Sequence, residues 1–306
     1  MTPKIKKKRQ LVKNSRQKPR NTGDKLPSSN RKVYPAHPKT QNRHKNTIGS
    51  VNSSERSKNT YIIWGQHTVF SAIMNPNRKI KRIYANERGS RKLFAHMAKL
   101  TPERRLEIPK ILPLNLNQFD GIENSDEKMV HQGVAAAVLP LKSPPLKHLL
   151  TRISGERLLL LLLDQLSDAR NVGAIIRSAH AFGVSAVITT DRNSALENGT
   201  MARAACGALD SVPLIRVVNL SHAMEQIKKY GIMIVGLTAD GNASLQALNN
   251  HKNLAIVLGA EGAGLRQLTR RKCDILTKIE INPNCESLNV SNAAAIALHS
   301  VRVVNK

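Results

Sequence analysis

Cysteine is scarce and unpatterned in this chain. Cys206, Cys273 and Cys285 are the only three in 306 residues. They fall in no CxxC or Cys/His spacing, whereas a structural zinc site takes about four ligands, so no metal is expected. No apolar h-region opens the sequence. The expectation is therefore a reducing, cytoplasmic compartment in which the cysteines act as buried small hydrophobes. The longest pure leucine run, Leu158 to Leu163, falls far short of the roughly 20 apolar residues a bilayer span requires, which points to a soluble protein. Acidic residues are few as well: 21 Asp and Glu face 48 Lys and Arg, for a net charge of +27. A balance that basic calls for a polyanionic partner, with nucleic acid ahead of an anionic membrane.

The charge is uneven. Residues 1 to 60 carry 17 Lys and Arg against Asp24 and Glu55, a net of +15, which leaves +12 on the remainder. Residues 1–59 are rich in Lys, Asn, Ser and Pro, with too little apolar surface to offset ordering entropy, and read as a disordered basic tail that either neutralises RNA phosphates or is solvated with no specific role. From Tyr61 the composition becomes globular. WGQHTVFSAIM reads as a turn and helix, IKRIYA as a strand, RKLFAHMAKL as an amphipathic helix, and IPKILPL and VAAAVLPL as strands. Together they predict a small α/β domain over 60–141. Its basic group Arg78, Lys79, Lys81 and Arg82 is either a phosphate contact or a solvated strand start.

KSPPLKHLLTRISGE, residues 142–156, reads as a linker with one helical turn. Residues 157–306 then alternate buried apolar runs (LLLLLL, AVITT, PLIRVV, IMIVGL, LAIVLG, DILTKIEI) with helices beginning near Asn171, Thr200, Asn219, Ser244 and Gly264. That alternation predicts an α/β fold with a parallel sheet covered on both faces. Ligands of such sheets gather at the carboxyl ends of the strands.

Three loops there carry the chemistry. In DQLSDARNVGAIIRSAHAFG, Asn171 is a candidate N-cap and Gly183 a helix terminator. Arg177 lies near the helix N-terminus, where its charge opposes the macrodipole and answers either to an anion or to solvent. GAEGAGL, from Gly259 to Leu265, has glycines for a tight turn but matches neither GxGxxG nor a P-loop, and is either a ligand loop or a plain strand-to-helix turn. Its Glu261 would repel a phosphate and suit a cation or ribose hydroxyls. SLNVSNAAAIAL, Ser287 to Leu298, runs polar residues into an Ala-rich helix whose N-terminal N–H groups can meet a ligand or simply be capped.

NVGAIIRSAHAFGV, RAACGALDSVPLIRVVNL, IVLGAEGAGLRQLTRRKCD and SLNVSNAAA, in that order, resemble the motifs of the SpoU (TrmH-like) RNA ribose 2'-O-methyltransferases of the SPOUT superfamily. The likeness covers 60–306 and is greatest to the branch that methylates a guanosine of 23S rRNA. It implies a SPOUT-type parallel sheet with a C-terminal trefoil knot, preceded by an L30e-like domain that binds the RNA substrate. It also implies S-adenosylmethionine as cofactor and a homodimer that completes the active site. By motif position it assigns Asn171, Arg177, Glu261, Ser287 and Asn289 to catalysis, and Gly259, Ile279 and Leu288 to backbone contacts with the cofactor. Where relatives commonly carry IPM and a glycine-containing turn, this chain reads Ile279, Glu280, Ile281, Asn282, Pro283, and Pro283 removes a donor and fixes φ. The expected partners are RNA, as 23S rRNA or a pre-ribosomal particle, and a second copy of the chain, with neither DNA nor membrane. A tRNA methyltransferase of the same family and a non-catalytic ribosome-assembly factor are the alternatives.

Overall fold

The structure, a computed structural model, describes residues 60–115, 131–151, 157–248 and 251–303. The expected tail at 1–59 and the end of the expected linker, 152–156, lie outside the described residues.

Four strands form the first sheet: β1 (Tyr61–Trp64), β2 (Ile80–Ala85), β3 (Ile111–Pro113) and β4 (Val134–Val138), in the order β1-β4-β2-β3. β4 pairs antiparallel with β1 and β2, and β3 joins β2 in parallel. The VAAAV sequence of β4 is buried at every position because both of its faces are covered. Val134, Ala136 and Val138 enter the main core, while Ala135 and Ala137 pack with Ile62 and Trp64, as a period of two requires. Three helices accompany the sheet, α1 (Gln66–Met74), α2 (Glu87–Met97) and α3 (Pro102–Glu107). α2 is capped by Asn86, whose side chain accepts from the Gly89 N–H. α3 is additional to the expected elements, and its start is a local signal: Thr101 caps, Pro102 follows, and Glu103 lies in the first turn.

α4 (Leu146–Leu150) supplies the helical turn expected in the linker and leads to a seven-stranded sheet, every pairing of which is parallel. Its strands are β5 (Leu159–Asp164), β6 (Ala186–Thr190), β7 (Leu214–Val217), β8 (Met233–Leu237), β9 (Ala243–Ser244), β10 (Leu254–Gly259) and β11 (Ile275–Lys278), in the order β7-β6-β5-β10-β8-β11-β9. The helices are α5 (Ala169–Ala181), α6 (Gly199–Ala205), α7 (Leu220–Lys229), α8 (Gln267–Lys272) and α9 (Val290–Val303). The leucine run is continuous because the two faces have separate occupants. Leu159, Leu161 and Leu163 pack in one core with Ile175, Ile176 and Ala179 of α5 and Ala294, Ala297 and Leu298 of α9. Leu160 and Leu162 pack in another with Leu220, Met224 and Ile227 of α7.

Local boundaries differ from expectation in three places. α5 begins at Ala169, with Asp168 rather than Asn171 as its N-cap. No helix starts at Ser244, where pairing with β11 draws the chain into β9 before a 3₁₀ turn at Leu245–Leu248. The helix expected from Gly264 begins at Gln267, since Gly262 and Gly264 both adopt positive φ.

Arg78 is a fourth correction. It neither faces solvent nor is open to phosphate, being 1% exposed. Its guanidinium lies between Glu197 and Asp210, with Nε 2.7 Å from Asp210 Oδ1, and it also donates to the Leu139 carbonyl and the Tyr61 hydroxyl, each at 3.0 Å. Tyr61 donates to Glu197, and burial followed by the Glu197 charge pushes the tyrosine pKa upward. Burial alone would depress the guanidinium, but the hydrogen bond and charge of Asp210 outweigh it. This cluster joins β1 and the turn before β2 to the loops after β6 and α6. Removing the cation would strand two buried carboxylates, so Arg78→Met is expected to lower unfolding free energy by about 3–5 kcal/mol. The measurement is the urea midpoint at unchanged m, and a midpoint equal to that of the native chain would contradict the role.

Candidate functional site

β5 and β10 are neighbours at the centre of the parallel sheet, with Asp164 and Gly259 in register at their carboxyl ends. The two loops that leave them therefore start side by side. After Asp164 the chain turns through Gln165, at φ 60, into the Asp168 cap. Because Asp168 occupies the capping role, Asn171 lies inside the first turn with its side chain available for other partners.

The second loop closes on itself. Gly264 N–H donates to the Ala260 carbonyl at 2.9 Å and Ala263 N–H to the Glu261 carbonyl at 3.0 Å. A Cβ on Gly259 would lie 2.1 Å from the Gly264 carbonyl carbon, so only glycine fits beneath the turn. Arg266, just beyond the loop, is tied to Asp164 through its backbone N–H at 3.1 Å and its Nε at 2.6 Å. The Asp164 side chain is fully buried and the Arg266 side chain about half exposed. This brace fixes the base of the loop to the end of β5. Asp164, Arg266 and the Asp168 cap were not singled out in the sequence, although an aspartate closing an apolar leucine strand is a readable signal.

The third segment, between β11 and α9, is exposed from Glu280 to Ser287. Pro283 sits in a short turn in which Asn284 N–H donates to Asn282 Oδ1 at 2.9 Å and Cys285 N–H to the Asn282 carbonyl at 2.8 Å. Asn289 then caps α9, its Oδ1 accepting from the Ser291 N–H at 2.9 Å. Its Nδ2 donates to Glu261 Oε1 at 2.8 Å and to Asn171 Oδ1 at 3.0 Å. Asn171 Nδ2 donates to the same Glu261 oxygen at 2.9 Å, and the Val290 N–H points to it at 3.5 Å. One carboxylate oxygen thus gathers all three segments at the N-terminus of α9, where a negative charge complements the helix dipole.

The structure brings Asn171, Glu261 and Asn289 into direct contact and places Gly259 beneath the same loop. Ile279 follows β11, half-buried against the main core, and Leu288 is half-buried beside Asn289. Ser287 is exposed, its carbonyl accepting from Cys285 Sγ at 3.4 Å. Arg177 lies six residues beyond Asn171, about 9 Å along the α5 axis, and is exposed. Arg177 and Ser287 make no side-chain hydrogen bond to the three-residue cluster. The arrangement offers a fixed carboxylate, orienting amides and an exposed backbone segment. Such a set accepts hydroxyl or cationic groups and repels a phosphate at Glu261.

The cysteines divide by position. Cys285 is exposed, contrary to the expectation of burial, because its segment lies on the open side of the site, while Cys206 and Cys273 are half-buried. Burial pushes the Cys273 thiol up to about 12, so it stays protonated and unreactive at neutral pH. Iodoacetamide at pH 8 is accordingly expected to modify Cys285 well before Cys273, by peptide mass mapping. Equal labelling in the folded protein would contradict this geometry.

Residues 158–299 match the SpoU rRNA Methylase family. A 23S rRNA (guanosine-2'-O-)-methyltransferase RlmB of Coxiella burnetii is 35% identical over 243 residues, covering 78% of this chain and 94% of that relative. The protein of the same name from Xylella fastidiosa is 36% identical, over 79% of this chain and 95% of its own. The crystal structure of the SpoU methyltransferase AviRb from Streptomyces viridochromogenes shares the fold with a TM-score of 0.64 at 20% identity, covering 82% of this chain and 91% of that one. This chain belongs to the SpoU rRNA methylase family.

Proposed function

We propose that the protein transfers a methyl group from S-adenosylmethionine to a ribose 2'-hydroxyl of RNA, the target being a guanosine of 23S rRNA as in the RlmB relatives' name. The observation that carries this reading is the junction of Asn171, Glu261 and Asn289 at the carboxyl ends of β5 and β10.

The residues present fit the cofactor. A Cβ added at Gly262 or Gly264 would meet nothing within 4 Å, so the outer side of the glycine loop is open to close approach. Gly259, Ile279 and Leu288 would hold the cofactor by their backbone, with Glu261 accepting from its hydroxyl or ammonium groups. When bound, S-adenosylmethionine supplies an electrophilic methyl group on a sulfonium. Alignment of that methyl group with the ribose oxygen provides much of the acceleration. Arg177 orients the 2'-hydroxyl and its neighbouring phosphate and stabilises developing alkoxide. A guanidinium stays protonated, so the proton leaves by another route. Asn171, Ser287 and Asn289 hold the reacting ends in place.

Further features extend the reading. β10 lies between β5 and β8 while β11 lies beyond β8. The Gly241 backbone presses on Thr277, where a Cβ would come within 2.3 Å. Both support a C-terminal trefoil knot through which 279–289 is threaded. The four-stranded sheet, whose strand β4 is entered through Gln132 and Gly133 at positive φ, supports an L30e-like RNA-binding domain over 60–141, joined by 142–156 to the methyltransferase domain at 157–306. The tail at 1–59 adds affinity through phosphate neutralisation. A homodimer completes the active site around the exposed Arg177, and the protein works in the cytoplasm.

Incubation with labelled S-adenosylmethionine and unmodified total RNA, followed by mapping of 2'-O-methyl sites, is expected to place label on a 23S rRNA guanosine. Label in tRNA alone would move the substrate, and no label in any RNA would favour a binding factor. In single-turnover methylation, Arg177→Lys is expected to slow transfer by at least about 10²-fold with cofactor affinity unchanged. Near-native turnover would overturn its role.

A further inference from the structure

A cleft of about 480 Å³ opens beside α1 where it meets the 3₁₀ turn Ala208–Asp210. Phe70, Met74 and Asn75 line one side, His96 of α2 another, and Asp210 and Ser211 the floor. The Phe70 and His96 rings are stacked, with centroids 3.9 Å apart and 25° between their planes. The His96 ring is held by a 3.0 Å hydrogen bond from Nδ1 to the Lys92 carbonyl, which can only accept. The floor is equally fixed. Asp210 is anchored by Arg78 at 2.7 Å and by Asn75 Nδ2 at 3.1 Å, and a Cβ on Gly207 would lie 2.3 Å from Ser71 Oγ.

The chemistry of these walls selects a ligand class. A flat two-ring stack and a methionine suit the face of a planar ring, while the Ser211 hydroxyl suits its polar edge. Positive charge at the cleft comes from Lys92, one helical turn before His96, whose Nζ is fixed to Gln66 Oε1 at 2.9 Å. We propose that this cleft takes an unpaired nucleobase of the RNA, stacked against the Phe70 and His96 pair, with its sugar-phosphate backbone outside beside Lys92. Only an unpaired base exposes a face to protein rings. The proposal rests on the RNA methyltransferase reading and adds a contact for a base outside the cofactor site.

The test is binding of a fluorescently labelled single-stranded RNA of mixed sequence and of its abasic counterpart to the full chain, across a salt series. His96→Ala is expected to weaken binding of the base-bearing strand by about 5-fold or more, to leave the abasic strand and the salt slope unchanged, and to be rescued by His96→Tyr. Phe70→Leu keeps apolar volume without the stack. It should reproduce the loss, and it carries the test if His96→Ala fails to fold. Native affinity in both variants, an equal loss on the abasic strand, or a changed salt slope would overturn the proposal. The readout is binding, so failure of the unaltered chain to methylate RNA would sink the proposed function without deciding the cleft.

Discussion

A single oxygen, Oε1 of Glu261, accepts from Asn171 and Asn289 while facing the first N–H of α9. The three segments it joins lie 90, 118 and 28 residues apart pairwise along the chain, so ordering any one alone would cost conformational entropy with little return. Held at one point, they reinforce one another. The carboxylate also meets the positive end of the helix dipole, and the hydrogen bond that Asn289 Nδ2 donates to Asn171 Oδ1 closes the triangle. Loss of any one side would free a loop at the end of the sheet where ligands of this architecture gather.

The same device recurs through the molecule. Asp164 ends the leucine strand and accepts from the Arg266 backbone and guanidinium, bracing the glycine loop from below. Glu197 and Asp210 hold Arg78 between the two sheets. In a chain with only 21 acidic residues against 48 basic ones, these carboxylates have structural tasks at junctions. Much of the basic surplus is then left for a polyanion. Charge composition and fold are linked through where the few acidic side chains are spent.

Much of this was legible in the sequence. Continuous apolar runs separated by helices led to the parallel sheet, and the glycines of GAEGAGL to a turn that Gly259 makes possible only by lacking a Cβ. Asn171 reads wrongly as the cap of α5, because Asp168 offers an equally good capping side chain three residues earlier, and local propensity has no means of choosing between them. Ser244 looked like a helix start, yet a two-residue pairing with β11 overrides it. Arg78 was hidden among Lys79, Lys81 and Arg82, since the partners that bury it are at 197 and 210. Its fate depends on tertiary neighbours that no local pattern records.

The central claim is that Asn171 and Asn289 act as one unit through Glu261 to shape the cofactor site. A double-mutant cycle on S-adenosylmethionine affinity tests it, using Asn171→Ala, Asn289→Ala and the pair by isothermal titration. Shared dependence on one carboxylate predicts a coupling of about 0.5–3 kcal/mol, with the double variant scarcely weaker than the worse single variant. Strictly additive losses, or no loss in either single variant, would contradict it.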